Sequence, residues 1–379
     1  MPLTNYLTWV RDDALPVWLD VGFNRDLGLF WEKLHLDSRP DTSADLRSRT
    51  QVRQIYVYAH AAELGLIPRD ASLAVAIHAA DRFHALAWAP DGKPGWVHRL
   101  RANGAIADDR RDLYDHAFIV QGLTWLAKVT GEARFARWVD ETLDFIDRDL
   151  TSAQGGWLES DRQELPRRQN PHMHLFEASL ALFATTGELR HLTRADAIAS
   201  LFHRHFFDHK AKLLREYFGP AWECDGAYGS HRVEGGHHME WCWLLRRYSR
   251  CRDIDVDEIC EALFGSGRDL SLDLASGFLI DEVDDLGRTL IAKRRLWPQT
   301  EYLKALIEQG ISFGDPTLIN TAHDLADRLL ATYLGDTPRG TWRDQFDLDG
   351  RLTTDHIPAS TLYHLFTAAV EILRLEQSL

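Results

Sequence analysis

The stretch Gly235-Gly236-His237-His238-Met239-Glu240-Trp241-Cys242-Trp243-Leu244-Leu245 decides how the chain is read. Polar residues open it. An apolar face then runs through Trp241, Leu244, Leu245 and Tyr248 at i, i+3, i+4, i+7, the spacing of a helix turned to a core. His237 and Glu240 are three apart at the start of that helix and project from one side of it. A carboxylate so placed can accept an imidazole N–H and fix its tautomer.

The same construction recurs along the chain. The other clusters are Arg53-Gln54-Ile55-Tyr56, Leu113-Tyr114-Asp115-His116-Ala117-Phe118, Asn170-Pro171-His172-Met173-His174, Trp297-Pro298-Gln299-Thr300-Glu301 and Asp355-His356-Ile357-Pro358. Apolar helical faces accompany them, such as Phe176, Ser179, Leu180, Phe183 and Leu362, Leu365, Phe366, Ala369. With Arg53, Asp115, His172, His237, Pro298 and His356 as markers, the intervals are 62, 57, 65, 61 and 58 residues. About sixty residues is two helices with their loops, and a fixed period marks a repeated supersecondary unit. Six such units take up nearly all of the 379 residues. Length alone would suggest two or three domains of roughly 150 residues each. The period predicts instead one all-α domain over residues 1–379, an (α/α)6 barrel of six helical hairpins with the clusters gathered at one end of the inner helices. An open solenoid, with polar turns that merely cap helices, is the alternative.

Between the apolar helices lie mixed ones, Ala136 to Leu150 and Asp255 to Leu263, with charges suited to a solvated face. Gly155-Gly156-Trp157, Gly340-Thr341-Trp342 and the strand-like Trp342 to Leu348 ending at Asp349-Gly350 predict short β-hairpins in the loops.

Composition narrows the function. Lys and Arg number 43 against 57 Asp and Glu, a formal charge of −14, which speaks against a general nucleic-acid binder. No uncharged apolar window reaches the roughly 18 residues of a membrane span, so no membrane partner is expected. Asp12 and Asp13 interrupt the N-terminal apolar run and no basic segment precedes it, unlike a secretory signal. The cysteines, Cys224, Cys242, Cys251 and Cys260, form no C-x-x-C pair, and a reducing cytoplasm is the expected location. Neither a P-loop nor a G-x-G-x-x-G motif is present, and no cofactor is expected. The unusual entries in the composition are 18 His and 13 Trp.

The clusters carry proton-transfer chemistry. If the ring closes, His237 and His356 face each other across the pocket, each with an unperturbed pKa near 6.5 that lets it act as acid or base. Arg53 remains protonated and can stabilise an oxyanion. His174 is read as a pocket residue oriented by Glu177, with His172 as a lining residue or a helix cap. Tyr114 and Asp115 are read at the pocket wall, Trp241 and Trp297 as stacking platforms or core, and Glu301 as orienting Arg53 or a helix end. His172, His174, His237 and His238 together offer enough donors for zinc, but no H-E-x-x-H spacing exists and no metal is expected.

These motifs resemble the N-acylglucosamine 2-epimerase superfamily, which includes mannose isomerases, cellobiose 2-epimerases and sulfoquinovose isomerases. The resemblance runs from residue 53 to 358. It is carried by Arg53, Leu113-Tyr114-Asp115-x-Ala117-Phe118, Asn170-x-x-Met173-His174-x-x-Glu177-Ala178, Gly236-His237-x-x-Glu240-Trp241-x-Trp243-Leu244-Leu245, Trp297-x-x-x-Glu301 and His356-x-Pro358. It implies an (α/α)6 barrel with no required metal. It also implies general acid/base histidines at His237 and His356, a pocket arginine at Arg53 and a further pocket histidine at His174, and it brings Asn170 into the substrate site. Two positions depart from the pattern: Glu234-Gly235-Gly236 replaces the usual Pro-Gly before His237, and Leu296 stands where many epimerases have a second aromatic. The latter tilts the reading toward a monosaccharide.

The fifth and sixth motifs resemble the mannose-isomerase branch, which implies interconversion of D-mannose and D-fructose through an enediolate, in a monomer or homodimer. A sugar 2-epimerase is the alternative, since both reactions begin with loss of the C2 proton. A hexose phosphate is a third, because Arg167-Arg168 and Lys293-Arg294-Arg295 precede two of the clusters. A glycoside hydrolase or lyase would need two carboxylates roughly 5–10 Å apart, with Asp115, Glu240 and Glu301 as candidates. A non-catalytic sugar-binding scaffold would tolerate loss of the histidines.

Overall fold

A computed structural model describes residues 1–378. Thirteen α-helices dominate it: α1 (Pro2–Trp9), α2 (Leu15–Asp20), α3 (Ser48–Glu63), α4 (Arg69–Ala87), α5 (Leu113–Thr130), α6 (Ala133–Asp149), α7 (Gln169–Thr186), α8 (Leu189–Leu201), α9 (Gly235–Arg252), α10 (Asp257–Ser271), α11 (Leu296–Phe313), α12 (Pro316–Leu329) and α13 (Thr361–Ser378). Helices α3, α5, α7, α9, α11 and α13 pack side by side in that order, and α13 returns to α3, closing the inner ring of an (α/α)6 barrel. Helices α4, α6, α8, α10 and α12 each pack on the inner helix that precedes them. The sixth outer helix comes from the other end of the chain. Helix α1 packs on α12 and α13, and the Tyr6 hydroxyl donates to the Leu365 carbonyl at 3.1 Å.

Sequence separates the two rings. Inner helices are enclosed by the axis on one side and the outer ring on the other, so α3 is buried at nearly every position from Ser48 to Ala62. The outer α6 is amphipathic, with Phe135, Trp138, Val139, Leu143 and Ile146 buried and Arg137, Glu141 and Arg148 facing water. Each such apolar side chain contributes about 1.5–3 kcal/mol when fully buried.

Short antiparallel pairings stitch the loops together, and none forms a closed sheet. Some are hairpins, such as Leu272–Asp273 with Phe278–Leu279. Others join neighbouring units at the mouth of the barrel. The segment leading into an inner helix pairs with the loop of the next unit: Arg47 with Arg99, Asp112 with Ser160, Arg168 with Tyr217, Arg232 with Asp284 and Arg295 with Gln345. His356–Pro358 closes the circle against Lys33–His35. Among the described residues no helix is long and apolar enough to cross a membrane.

Candidate active site

The loop stitching sets the register of the site. In five of the six units the first N–H after the paired segment donates to the neighbouring loop: Ser48 to the His98 carbonyl, Leu113 to Glu159, Gln169 to Glu216, Leu296 to Asp344 and Ala359 to Glu32. The residues just before these are Arg47, Asp112, Arg168, Arg295 and Pro358, with Glu234 in the same place on α9. Six positions further on stand Arg53, Phe118, His174, Glu240, Glu301 and His364. These converge on the barrel axis and form or underlie the floor of a cavity of about 400 Å³. Arg49, Tyr114, Asn170, His237 and Trp297, one turn nearer the mouth, supply much of its wall.

Three histidine–carboxylate pairs meet at this cavity, and two of them differ most in their surroundings. His237 Nδ1 lies 2.9 Å from Glu216 Oε2, and the Gln169 amide holds that same oxygen at 2.8 Å. The other ring nitrogen, Nε2, is 3.0 Å from Asn170 Nδ2, and a charged ring requires that carboxamide turned over so that its unpartnered oxygen accepts from Nε2. Burial by itself would lower the His237 pKa, but the negative charges of Glu216 and Glu234 outweigh it and raise the pKa to about 10. His364 Nδ1 lies 2.7 Å from Glu301 Oε1, and Lys304 Nζ is 2.6 Å from the other oxygen. Burial, with Arg53 and Lys304 nearby, pushes the His364 pKa well below its ordinary value. One imidazole is therefore set to be charged and the other neutral. Between them stands the Trp297 indole, 5.1 Å from His237 and 5.5 Å from His364.

Arg53 reaches the Tyr114 hydroxyl at 3.0 Å and lies over the Phe118 ring at 4.1 Å. Among the described residues it has no carboxylate partner, unlike the other cavity arginines. Arg47 pairs with Glu32, Arg49 with Asp115, Arg168 with Glu159 and Arg295 with Asp281. His174 Nδ1 contacts Glu177 Oε2 at 3.1 Å, and burial lowers the His174 pKa to about 3. Glu240, Glu301 and His364 present donor atoms within 4.8 Å of one another, as do His174, Glu177 and Glu240. The Lys304 ammonium already supplies a positive charge to the first group.

Of the residues expected from sequence, Arg53, Tyr114, Asn170, His174, His237, Glu240 and Trp297 line the cavity. Glu177 and Glu301 lie beneath it as partners of His174 and His364. Four expectations are corrected. His356 does not face His237. It belongs to the strand against Lys33–His35, before the helix begins, where its Nδ1 meets exposed Asp355 and its ring borders a separate depression with Glu32 and Lys33. The inward histidine of α13 is His364, in the first turn of that helix. Glu240 makes no hydrogen bond to His237, whose carboxylate is Glu216. Trp241 points away from the cavity into the core, its indole N–H donating to Gln169 Oε1 at 2.6 Å. Asp115 is fully buried behind the wall, shared by Arg49 and His98.

His172 is a fifth correction, and it accounts for part of the histidine excess. Its Nε2 accepts the Trp157 N–H while its Nδ1–H donates to the Arg168 carbonyl. His116 does the same for Trp96 and Asp112, and His238 for Leu214 and Glu234. Gln51 and Gln299 hold Phe30 and Leu279 from the equivalent positions. These side chains pin each loop to its inner helix. Gly156 leaves room for one such pin: at φ +65° it lies so close to His172 that an added Cβ would stand 2.9 Å from Nε2.

Sequence reasoning missed His364 and Glu216. For Glu216 a signal existed: Glu32, Glu159, Glu216 and Glu282 repeat at one or two units of the sixty-residue period.

The fold and the sequence both have relatives. Solved structures of a cellobiose 2-epimerase from Bacillus thermoamylovorans and of a D-mannose isomerase each superpose with a TM-score of 0.87 at 19% identity, covering 98% of this chain and 99% and 97% of theirs. A protein named mannose-6-phosphate isomerase from Rhizobium meliloti is 33% identical across 96% of this chain and 95% of its own length. The D-mannose isomerase of Thermobifida fusca is 28% identical across 67% and 66%. The model of the N-acylglucosamine 2-epimerase family matches residues 28–368, and the chain belongs to that family of carbohydrate isomerases and epimerases.

Proposed function

We propose that this enzyme interconverts D-mannose and D-fructose, with His364 and His237 as the acid/base pair. The observation that carries the reading is the opposed setting of the two histidines on one cavity, His364 neutral on Glu301 and His237 charged on Glu216. Pairs of groups whose environments drive their pKa values apart divide acid and base roles between them. With the sugar open, His364 Nε2 takes the C2 proton as His237 protonates the C1 oxygen, giving an enediol. His237 then takes the proton of the C2 hydroxyl and His364 returns its proton to C1, so both histidines regain their starting states. Arg53, with no carboxylate to neutralise it, stabilises negative charge on the sugar oxygens. His174, held by Glu177, completes the polar floor.

The names of the Rhizobium and Thermobifida relatives, mannose-6-phosphate isomerase and D-mannose isomerase, support an isomerase acting on mannose or its phosphate. The paired state of Arg47, Arg49, Arg168 and Arg295 supports an uncharged hexose over a hexose phosphate, because none of these four guanidinium groups awaits a phosphate as its counter-ion. A 2-epimerase is the second reading, favoured by the two histidines flanking one cavity: His237 would deliver its proton to the opposite face of C2.

The test is incubation with D-mannose in D2O, followed by NMR. Fructose labelled at C1 supports the isomerase, and glucose labelled at C2 the epimerase. Turnover of mannose 6-phosphate with none of free hexoses would overturn the substrate choice.

A further inference from the structure

The cavity floor holds three carboxyl groups and two fixed cations, and only two of the carboxyls are provided for. Glu177 accepts from Gln121 Nε2 at 2.9 Å, from His174 Nδ1 and from the Tyr363 hydroxyl. Glu301 receives Lys304 and His364. Glu177 thus has three donors, and Glu301 has a buried ammonium and an imidazole. Glu240 is left over. It is 1% exposed, it lines the cavity, and neither of its oxygens has a hydrogen-bond partner among the described residues. His174 Nδ1, at 4.0 Å from its Oε1, is already engaged by Glu177. An ionised carboxylate buried without a single donor is far costlier than its protonated form.

Resting on the isomerase reading above, we propose that Glu240 works as a neutral carboxylic acid that donates its O–H to an oxygen at the reacting end of the sugar, opposite in character to the orienting carboxylates Glu216 and Glu301. A protonated carboxyl is a donor and needs an acceptor. Among the described residues Glu240 makes no hydrogen bond, and a polyhydroxy substrate in the cavity it lines would supply the acceptor. The titratable neighbours agree. Burial first, then the negative charges of Glu301 and Glu177, push the Glu240 carboxyl well above the usual range, against the opposing pull of Lys304 and His237. As the sugar oxygen gains negative charge in the enediolate, a fixed neutral donor strengthens its hold without the cost of desolvating a charge.

The experiment compares Glu240→Gln with Glu240→Ala and adds infrared difference spectroscopy. Glutamine keeps a neutral donor in the same place. Alanine should lose about a hundredfold to a thousandfold in kcat, the usual effect of removing one oxyanion donor, and glutamine should recover most of that loss. The resting enzyme at neutral pH should show the carbonyl stretch of a protonated carboxyl, absent from Glu240→Gln. Glutamine as inactive as alanine at an unchanged melting temperature, or no such band, would overturn the proposal. The infrared reading needs no substrate, so it stands apart from the isomerase reading, which loss of turnover in His364→Asn tests.

Discussion

His237 and His364 stand on either side of one indole, Trp297, and their pKa values are driven apart. Glu216 and Glu234 overcome burial and raise that of His237, whereas burial, Arg53 and Lys304 lower that of His364. Glu216 is backed by a neutral amide, Gln169, and faces His237 directly. Glu301 meets Lys304 as well as His364, and the Arg53 and Lys304 charges lie near the buried His364 ring. The same kind of contact therefore produces an acid on one wall and a base on the other.

Exchanging the two candidate partners of His237 tests which one takes part. His364→Asn should lower kcat by about a hundredfold or more, the range for loss of a general base, and should abolish deuterium incorporation from D2O. His356→Asn, on a strand outside the cavity, should leave kcat within a few-fold of the parent. Steady-state kinetics with NMR of the product checks both.

The raised pKa of His237 gives kcat/KM an alkaline limb near 10. Glu216→Gln should bring that limb down toward the ordinary histidine value near 6.5. The sign for stability follows. A pKa raised on folding contributes stability that is full below about 6.5 and is lost as pH climbs through about 10. Glu216→Gln should therefore flatten the melting temperature across that window, measured by thermal melts at stepped pH.

The loop pins predict an acid weakness. Burial lowers the pKa of His172 to about 3 and of His116 and His238 to about 4. Each is depressed on folding, so stability is full above about 6.5 and falls as pH drops toward 3–4, where the unfolded chain binds the protons first. His172→Gln imports the residue that does this work at Gln51 and Gln299. It should preserve turnover and reduce the loss of melting temperature between pH 6.5 and about 4, whereas His172→Ala should destabilise at every pH by leaving the Trp157 N–H unpaired, about 1–3 kcal/mol.

Metal removal should leave the enzyme active. Lys304 supplies the cation at Glu301, so prolonged EDTA treatment is expected to change neither kcat nor melting temperature. A loss of turnover restored by one divalent ion would assign that role to the Glu240–Glu301–His364 group instead.

Periodicity and helix phase, both local properties, determined much of this protein by themselves. The sixty-residue repeat specifies six hairpins, and the apolar spacing after Glu240 and His174 puts those side chains on the inner faces of their helices. What a side chain meets across a loop is not local. His172 and His174 are two apart and look alike in sequence, but one turns outward to a loop N–H and the other inward to Glu177. The strand from His356 to Pro358 delays the start of α13, so the inward histidine is His364, a shift visible only once that strand pairs with the N-terminal loop. Glu216, 21 positions before His237, reaches it because the loop of one unit folds over the helix of the next. Ring closure decided those partnerships, and with them which imidazole is charged, because a pKa is set by the charges and solvent around a group rather than by its neighbours in the chain.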